Sequence, residues 1–110
     1  MSSIIDVAVS HFSNKEIREL YVPEWGITLY SKNLSLDDKA RWMKRSDDDT
    51  TNYLVYAVIY GVTDEKGESV FDVGDKVKLR NHVDPDVLSR IANFVLEVSA
   101  DKEEEREKNS

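Results

Sequence analysis

The chain reads as an α+β protein, predominantly α-helical, with about four to five helices packed with one β-hairpin. Apolar residues recur at helical spacing in several separate segments, each opened by a serine or aspartate of capping type. Between Lys15 and Asn33 that period gives way to alternation around a Pro/Gly turn. A length of 110 residues suits one modest core, burying roughly 65% of the unfolded surface. Residues 1–100 are assigned to that single domain. Residues 101–110 carry no apolar side chain and are expected to form a charged C-terminal tail, a fraying helix or disordered.

Ser3-Ile4-Ile5-Asp6 opens the first helix in the manner of a capping box. Ile5, Ala8, Val9 and Phe12 mark the face it is expected to bury, and it ends near Ser13-Asn14. His11 falls in its last turn, where a cation complements the helix dipole. In the hairpin, Ile17, Glu19, Tyr21 and then Ile27, Leu29 alternate with differently facing residues. Val22 to Gly26 makes the turn, since Pro23 removes a donor and Gly26 tolerates positive φ. Two strands are marginal alone, so the hairpin must lie on helices.

Ser35 caps a second helix, with Asp37 and Asp38 in its first turn and Lys44 and Arg45 in its last. Leu36, Ala40 and Met43 are its expected buried stripe, with Trp42 beside it. Asp47-Asp48-Asp49 ends that helix and starts a third. From Asn52 to Val62 the chain is apolar nearly all round, which places this segment at the centre of the fold. Its β-branched residues would also suit a strand, but its length and acidic cap favour a helix. Gly61 stands where glycine commonly ends helices. Asp64-Glu65-Lys66-Gly67 is a turn and Ser69-Val70-Phe71 an extended piece. Asp72, with Asp75, caps a short helix running to about Arg80. Asp84-Pro85 starts the last helix, because proline at the first helical position costs no hydrogen bond. Its buried face is Leu88, Ile91, Val95 and Val98, widened by Val87 and Phe94.

A net charge of −7 argues against nucleic-acid binding, since a polyanion would be repelled. The cluster Lys39, Arg41, Lys44 and Arg45 reads as a solvated helix face. The absence of cysteine rules out disulfides and thiolate metal sites. No apolar run approaches the roughly 18 residues of a membrane span, and the N-terminus lacks a secretory pattern. The expectation is a soluble protein without a membrane partner.

No catalytic, cofactor-binding or metal-binding residues are assigned. His11 and His82 lie in contexts unlike a nucleophile elbow, and the few glycines form no phosphate-cradling pattern. A helix–loop–helix calcium site needs glycine at the sixth position and an acid at the twelfth. Counted from Asp47 those positions hold Asn52 and Val58; from Asp64 they hold Ser69 and Asp75. Helix capping accounts for these acids. An enzyme is not expected. Trp25, on a turn, either folds back onto the core or anchors an interface, and Tyr30, Tyr53, Tyr56 and Tyr60 pose the same choice.

The segment Val22-Pro23-Glu24-Trp25-Gly26, a β arm, then a Leu-Ser helix start to Leu36 resembles the tail assembly chaperones of long-tailed bacteriophages of the lambda and HK97 type. The likeness continues in order through Tyr53–Val62, the Asp-Glu-Lys-Gly-Glu turn, Val70-Phe71 and the final helix, covering Glu19 to Val98. It implies a non-enzymatic protein that binds the tape measure protein, keeps it soluble and recruits tail tube subunits. Such a protein works in the host cell cytoplasm and is absent from the mature virion. Family members self-associate and often occur with a longer form made by ribosomal frameshifting; Asp101 to Ser110 would suit that junction. The candidate interaction residues are Val22, Pro23, Glu24, Trp25, Gly26 and Tyr30. The alternative is an acidic inhibitor that mimics nucleic acid on a host protein, followed by a small metal-dependent enzyme.

Overall fold

Helix α3 (Thr50–Gly61) runs through the middle of the molecule, with Val55, Tyr56, Ala57, Val58 and Ile59 all buried. An all-apolar helix must be surrounded, and the neighbours that surround it are α2 (Leu36–Ser46), α4 (Lys76–Asn81) and α5 (Pro85–Asn109). The computed structural model describes residues 3–13 and 16–109, with side chains as far as Ser99. The two remaining elements of the expected set are α1 (Ile4–Ser13) and the hairpin of β1 (Arg18–Val22) and β2 (Ile27–Ser31). The architecture is therefore the predominantly helical α+β one that the sequence implies. The side chains of the expected tail lie outside the described residues, although the α5 backbone stays helical to Asn109.

The hairpin is joined by a third strand, β3 (Val62–Thr63), in the order β1-β2-β3. Both pairings are antiparallel, with Leu20 opposite Leu29 and Tyr30 opposite Thr63. This strand was not anticipated, because two β-branched residues directly after a helix leave no period to read. On β1 the core set is the opposite of the Ile17, Glu19, Tyr21 row, whereas on β2 Leu29 of the alternating row is buried. Val22, Leu29 and Ser31 are buried while Glu19, Tyr21 and Ile27 are exposed, so the inward set on β1 is Leu20 and Val22 rather than Glu19 and Tyr21. A one-residue change of phase moves every side chain to the other face.

The acidic punctuation behaves as capping chemistry. Ser35 Oγ accepts from the Asp38 amide and Asp49 Oδ1 from the Asn52 amide. Asp72 and Asp75 complete a reciprocal capping box at the 3-10 turn Val73–Asp75 that leads into α4. Asp47 and Asp48 both take positive φ, at 48° and 55°, a conformation aspartate tolerates better than most residues. They reverse the chain between α2 and α3 in three residues.

Two helices depart from expectation. In α2 the buried residues are Trp42 and Ser46, while Leu36, Ala40 and Met43 face outward. The indole decides the phase. It is the largest apolar group on the helix, its Nε1 donates to the Tyr53 carbonyl at 2.8 Å, and its ring packs on Tyr53. In α1 no residue is buried, so Ile5, Ala8 and Val9 are not core residues; Phe12 alone is half-covered, beneath the Lys32 ammonium.

Gly61 ends α3 as expected, but positive φ is not the cause. A Cβ there would overlap the Val95 side chain of α5, so the glycine permits close helix–helix approach. The buried Ser31 hydroxyl donates to the Gly61 carbonyl at 2.7 Å, satisfying an orphan group at the helix end from the sheet.

Candidate interaction surfaces

The hairpin turn is built by hydrogen bonds to the Val22 carbonyl, from Trp25 N at 3.1 Å and Gly26 N at 2.9 Å. Pro23 opens the turn with its fixed φ, and Gly26 closes it at φ 64°, where a side chain would be strained. Val22 is wholly buried and so presents no surface. Trp25 packs half-buried against the core. Tyr30 is half-buried on the outer face of the sheet, opposite Glu19 and diagonal to the exposed Tyr21. The six nominated residues thus do not form one patch: five make the turn and Tyr30 lies apart from it.

Glu24 has a specific structural partner. Its two carboxylate oxygens accept from Arg90 Nη1 and Nη2 at 2.8 and 2.7 Å, pinning the turn to α5. The planar guanidinium matches the carboxylate fork, which makes such pairs stronger and more directional than a lysine contact. The Arg90 hydrogen bonds, its own backbone amide and the Arg90 charge bring the Glu24 pKa from 4.5 down to about 2. Arg90 is raised in turn by the same carboxylate. Because the folded pKa is depressed, the pair's stabilisation is present above about pH 4.5 and is lost as pH falls towards 2. Carbon-detected NMR titration of Glu24 should give that low pKa. In Arg90→Met the value should return towards the ordinary carboxylate range, and the urea midpoint should depend less on pH across this window. An unshifted Glu24 in the unsubstituted protein would contradict the pairing.

Two apolar features lie elsewhere. A cleft of about 210 Å³ opens between α3, α4 and α5, lined by Leu54, Val55, Leu79, Val83, Pro85 and Leu88, with Thr51, Arg80 and Ser89 at its polar positions. Val77, on α4, is exposed, as are Val70 and Val73. Arg80 is held towards α3 by Asn52 Oδ1 at 2.6 Å and lies 3.9 Å from Asp49. The Asn52 amide, with Arg80 behind it, keeps the Asp49 carboxyl below its usual range. The second feature is the pair of unburied stripes on α1 and α2. Leu36 is 85% exposed and Met43 61%, and on α1 Ile4 is 89% and Ile5 67% exposed. These residues went unrecognised as surface because helical periodicity marks an apolar face without saying what covers it.

Among the described residues no group of histidine, aspartate and glutamate is arranged to hold a metal ion. No helix among them is long and apolar enough to cross a membrane. His82 caps the end of α4 and is exposed. Asp49, Asp64, Asp72 and Asp84 each accept backbone N–H groups at caps and turns.

The surfaces and fold together define a small, predominantly helical α+β protein with apolar residues exposed on α1, α2 and α4. No protein-family model and no curated sequence matches the chain. Among solved structures, the tail assembly chaperone of bacteriophage HK97 is similar, with a TM-score of 0.59 and 21% identity over 86% of this chain and 95% of that one. At this identity the likeness is one of fold, and it spans nearly the whole of the phage protein.

Proposed function

We propose that this chain is a non-enzymatic phage tail assembly chaperone. Its fold likeness to the HK97 protein over 95% of that protein's length carries the reading, and the apolar cleft and stripes support it. The client is the tape measure protein, a long helical chain that would aggregate before the tail tube encloses it. An amphipathic client helix would seat apolar anchors in the cleft between α3, α4 and α5, in the helix-in-groove manner. Of the residues nominated from sequence, all but the buried Val22 keep surface that a partner could touch, the Glu24 carboxylate being already held by Arg90.

The net charge of −7 serves the same end. Many acidic copies along one client keep the complex dispersed by mutual repulsion. Each contact is weak and repetition supplies the avidity, so that tail tube subunits can displace the coat. Self-association and a longer frameshifted form belong to this proposal, as does action in the host cytoplasm and absence from the finished virion. Co-expression with the cognate tape measure protein tests it. The soluble yield of that protein should rise several-fold over expression alone, and an unchanged yield would overturn the reading.

A further inference from the structure

Each copy of this chain carries two unburied apolar helix faces that do not cover one another. On α1, Ile4 and Ala8, Ile5 and Val9 are successive pairs four residues apart, giving one continuous face. On α2, Leu36, Ala40 and Met43 follow the same spacing along the outward side, away from Trp42 and Ser46. Both faces have a small alanine near the middle, which lets two helix axes approach closely. A ten-residue helix with no buried residue is marginal in water by itself, so α1 needs a surface to lie on. Within its own copy it does not cover α2, since Leu36 and Met43 remain open.

Charge favours the same match. Helix α1 contains Asp6 and neither lysine nor arginine, whereas α2 carries four bases against two acids. Lys39 and Lys44 flank the α2 stripe on its two sides. The other basic helix, α4, offers only Val77 as an exposed apolar residue on its own span and so cannot provide a two-turn seat.

We propose that α1 of one copy lies along the Leu36–Ala40–Met43 stripe of α2 in a second copy. The contact is heterologous: every copy is donor through α1 and acceptor through α2. Such contacts close into rings, of which a reciprocal exchange between two copies is the smallest, or continue as open chains. One helix on one stripe is a small interface, in the range of weak and transient contacts, so assembly depends on concentration. This deepens the chaperone reading by naming the surface through which copies join, and it leaves the α3–α4–α5 cleft outside for a client.

Two variants test the assignment without touching the core: Ile5→Asp with Val9→Asp on α1, and Leu36→Asp with Met43→Asp on α2. Unchanged far-UV circular dichroism and thermal unfolding would show that the body of each remains folded. Mass measurement across the micromolar range should find oligomers growing with concentration for the unsubstituted chain. Each variant alone should be monomeric. Mixing them should restore one productive contact and yield dimers with one copy of each. Three outcomes would overturn the proposal: a monomeric unsubstituted chain at every concentration, oligomers persisting in either variant, or a mixture that stays monomeric. No tape measure protein is present in this experiment, so its failure leaves the client-binding reading standing, and failure of co-expression leaves this interface standing.

Discussion

Replacing Trp42 by alanine is expected to cost about 3–5 kcal/mol of folding stability, the usual range for deleting a large buried aromatic. The indole is 4% exposed and packs on Tyr53 with ring centroids 4.7 Å apart. Its Nε1 donor to the Tyr53 carbonyl ties α2 to the first turn of α3, so truncation also removes that link between the helices. Domains of this size are stable by only about 5–15 kcal/mol, so the variant should lie near the margin. Trp42→Phe separates the two contributions: it keeps most of the packing and should lose about 0.5–1.5 kcal/mol through the unmade hydrogen bond. Urea unfolding followed by far-UV circular dichroism measures both, without relying on fluorescence from the remaining Trp25. Equal losses in the two variants would show that packing contributes little at this position.

Gly61→Ala is the second large effect, and an unusual one, because alanine ordinarily favours a helix over glycine. Here the added methyl meets the Val95 side chain. Overpacking of this kind typically costs about 1–3 kcal/mol. Helix α3 has little freedom to retreat, since its end is held from the sheet by the Ser31 hydroxyl. Val95→Ala alone should destabilise by opening a cavity beside a wholly buried position. Combined, the two substitutions should be less harmful than their sum, with a coupling of about 0.5–3 kcal/mol. A double-mutant cycle in urea reads this directly, and strict additivity would contradict the close approach of α3 and α5.

Much of this architecture was legible from residues alone, and the reasons are local. The caps Ser35, Asp49 and Asp72 act on amides within three residues, so nothing distant has to be known. The Val22–Gly26 turn follows from Pro23 and Gly26 in the same way. Helix α3 is apolar enough to leave one choice of environment, and α5 shows a single apolar face through Leu88, Ile91, Val95 and Val98. Where the sequence offered two phases, tertiary packing decided. In α2, Leu36, Ala40 and Met43 and the Trp42–Ser46 row are both consistent with helical period. The single indole with a polar partner outweighed three smaller residues. The same holds for β1, where Leu20 and Val22 face inward although Tyr21 has the larger apolar body.

The candidate surfaces were less legible still. Glu24 stood out by its motif, yet its partner Arg90 is 66 residues away in sequence and nothing local points to it. The α1 face appeared as core because an amphipathic helix that packs on its own chain and one awaiting a partner have the same sequence pattern. Only burial separates them. The apolar residues that periodicity would place inside α1 and α2 are therefore the most informative surface on the molecule.

Under the proposed function this chain is a removable coat on an aggregation-prone client, with many copies per client. Native mass measurement of the complex purified after co-expression with the cognate tape measure protein tests it most directly. The expected result is a soluble complex holding several copies of this chain on one tape measure protein, released when tail tube subunits are added. A tape measure protein recovered soluble without bound copies, or a fixed complex of one copy with one client that tube subunits do not displace, would contradict it.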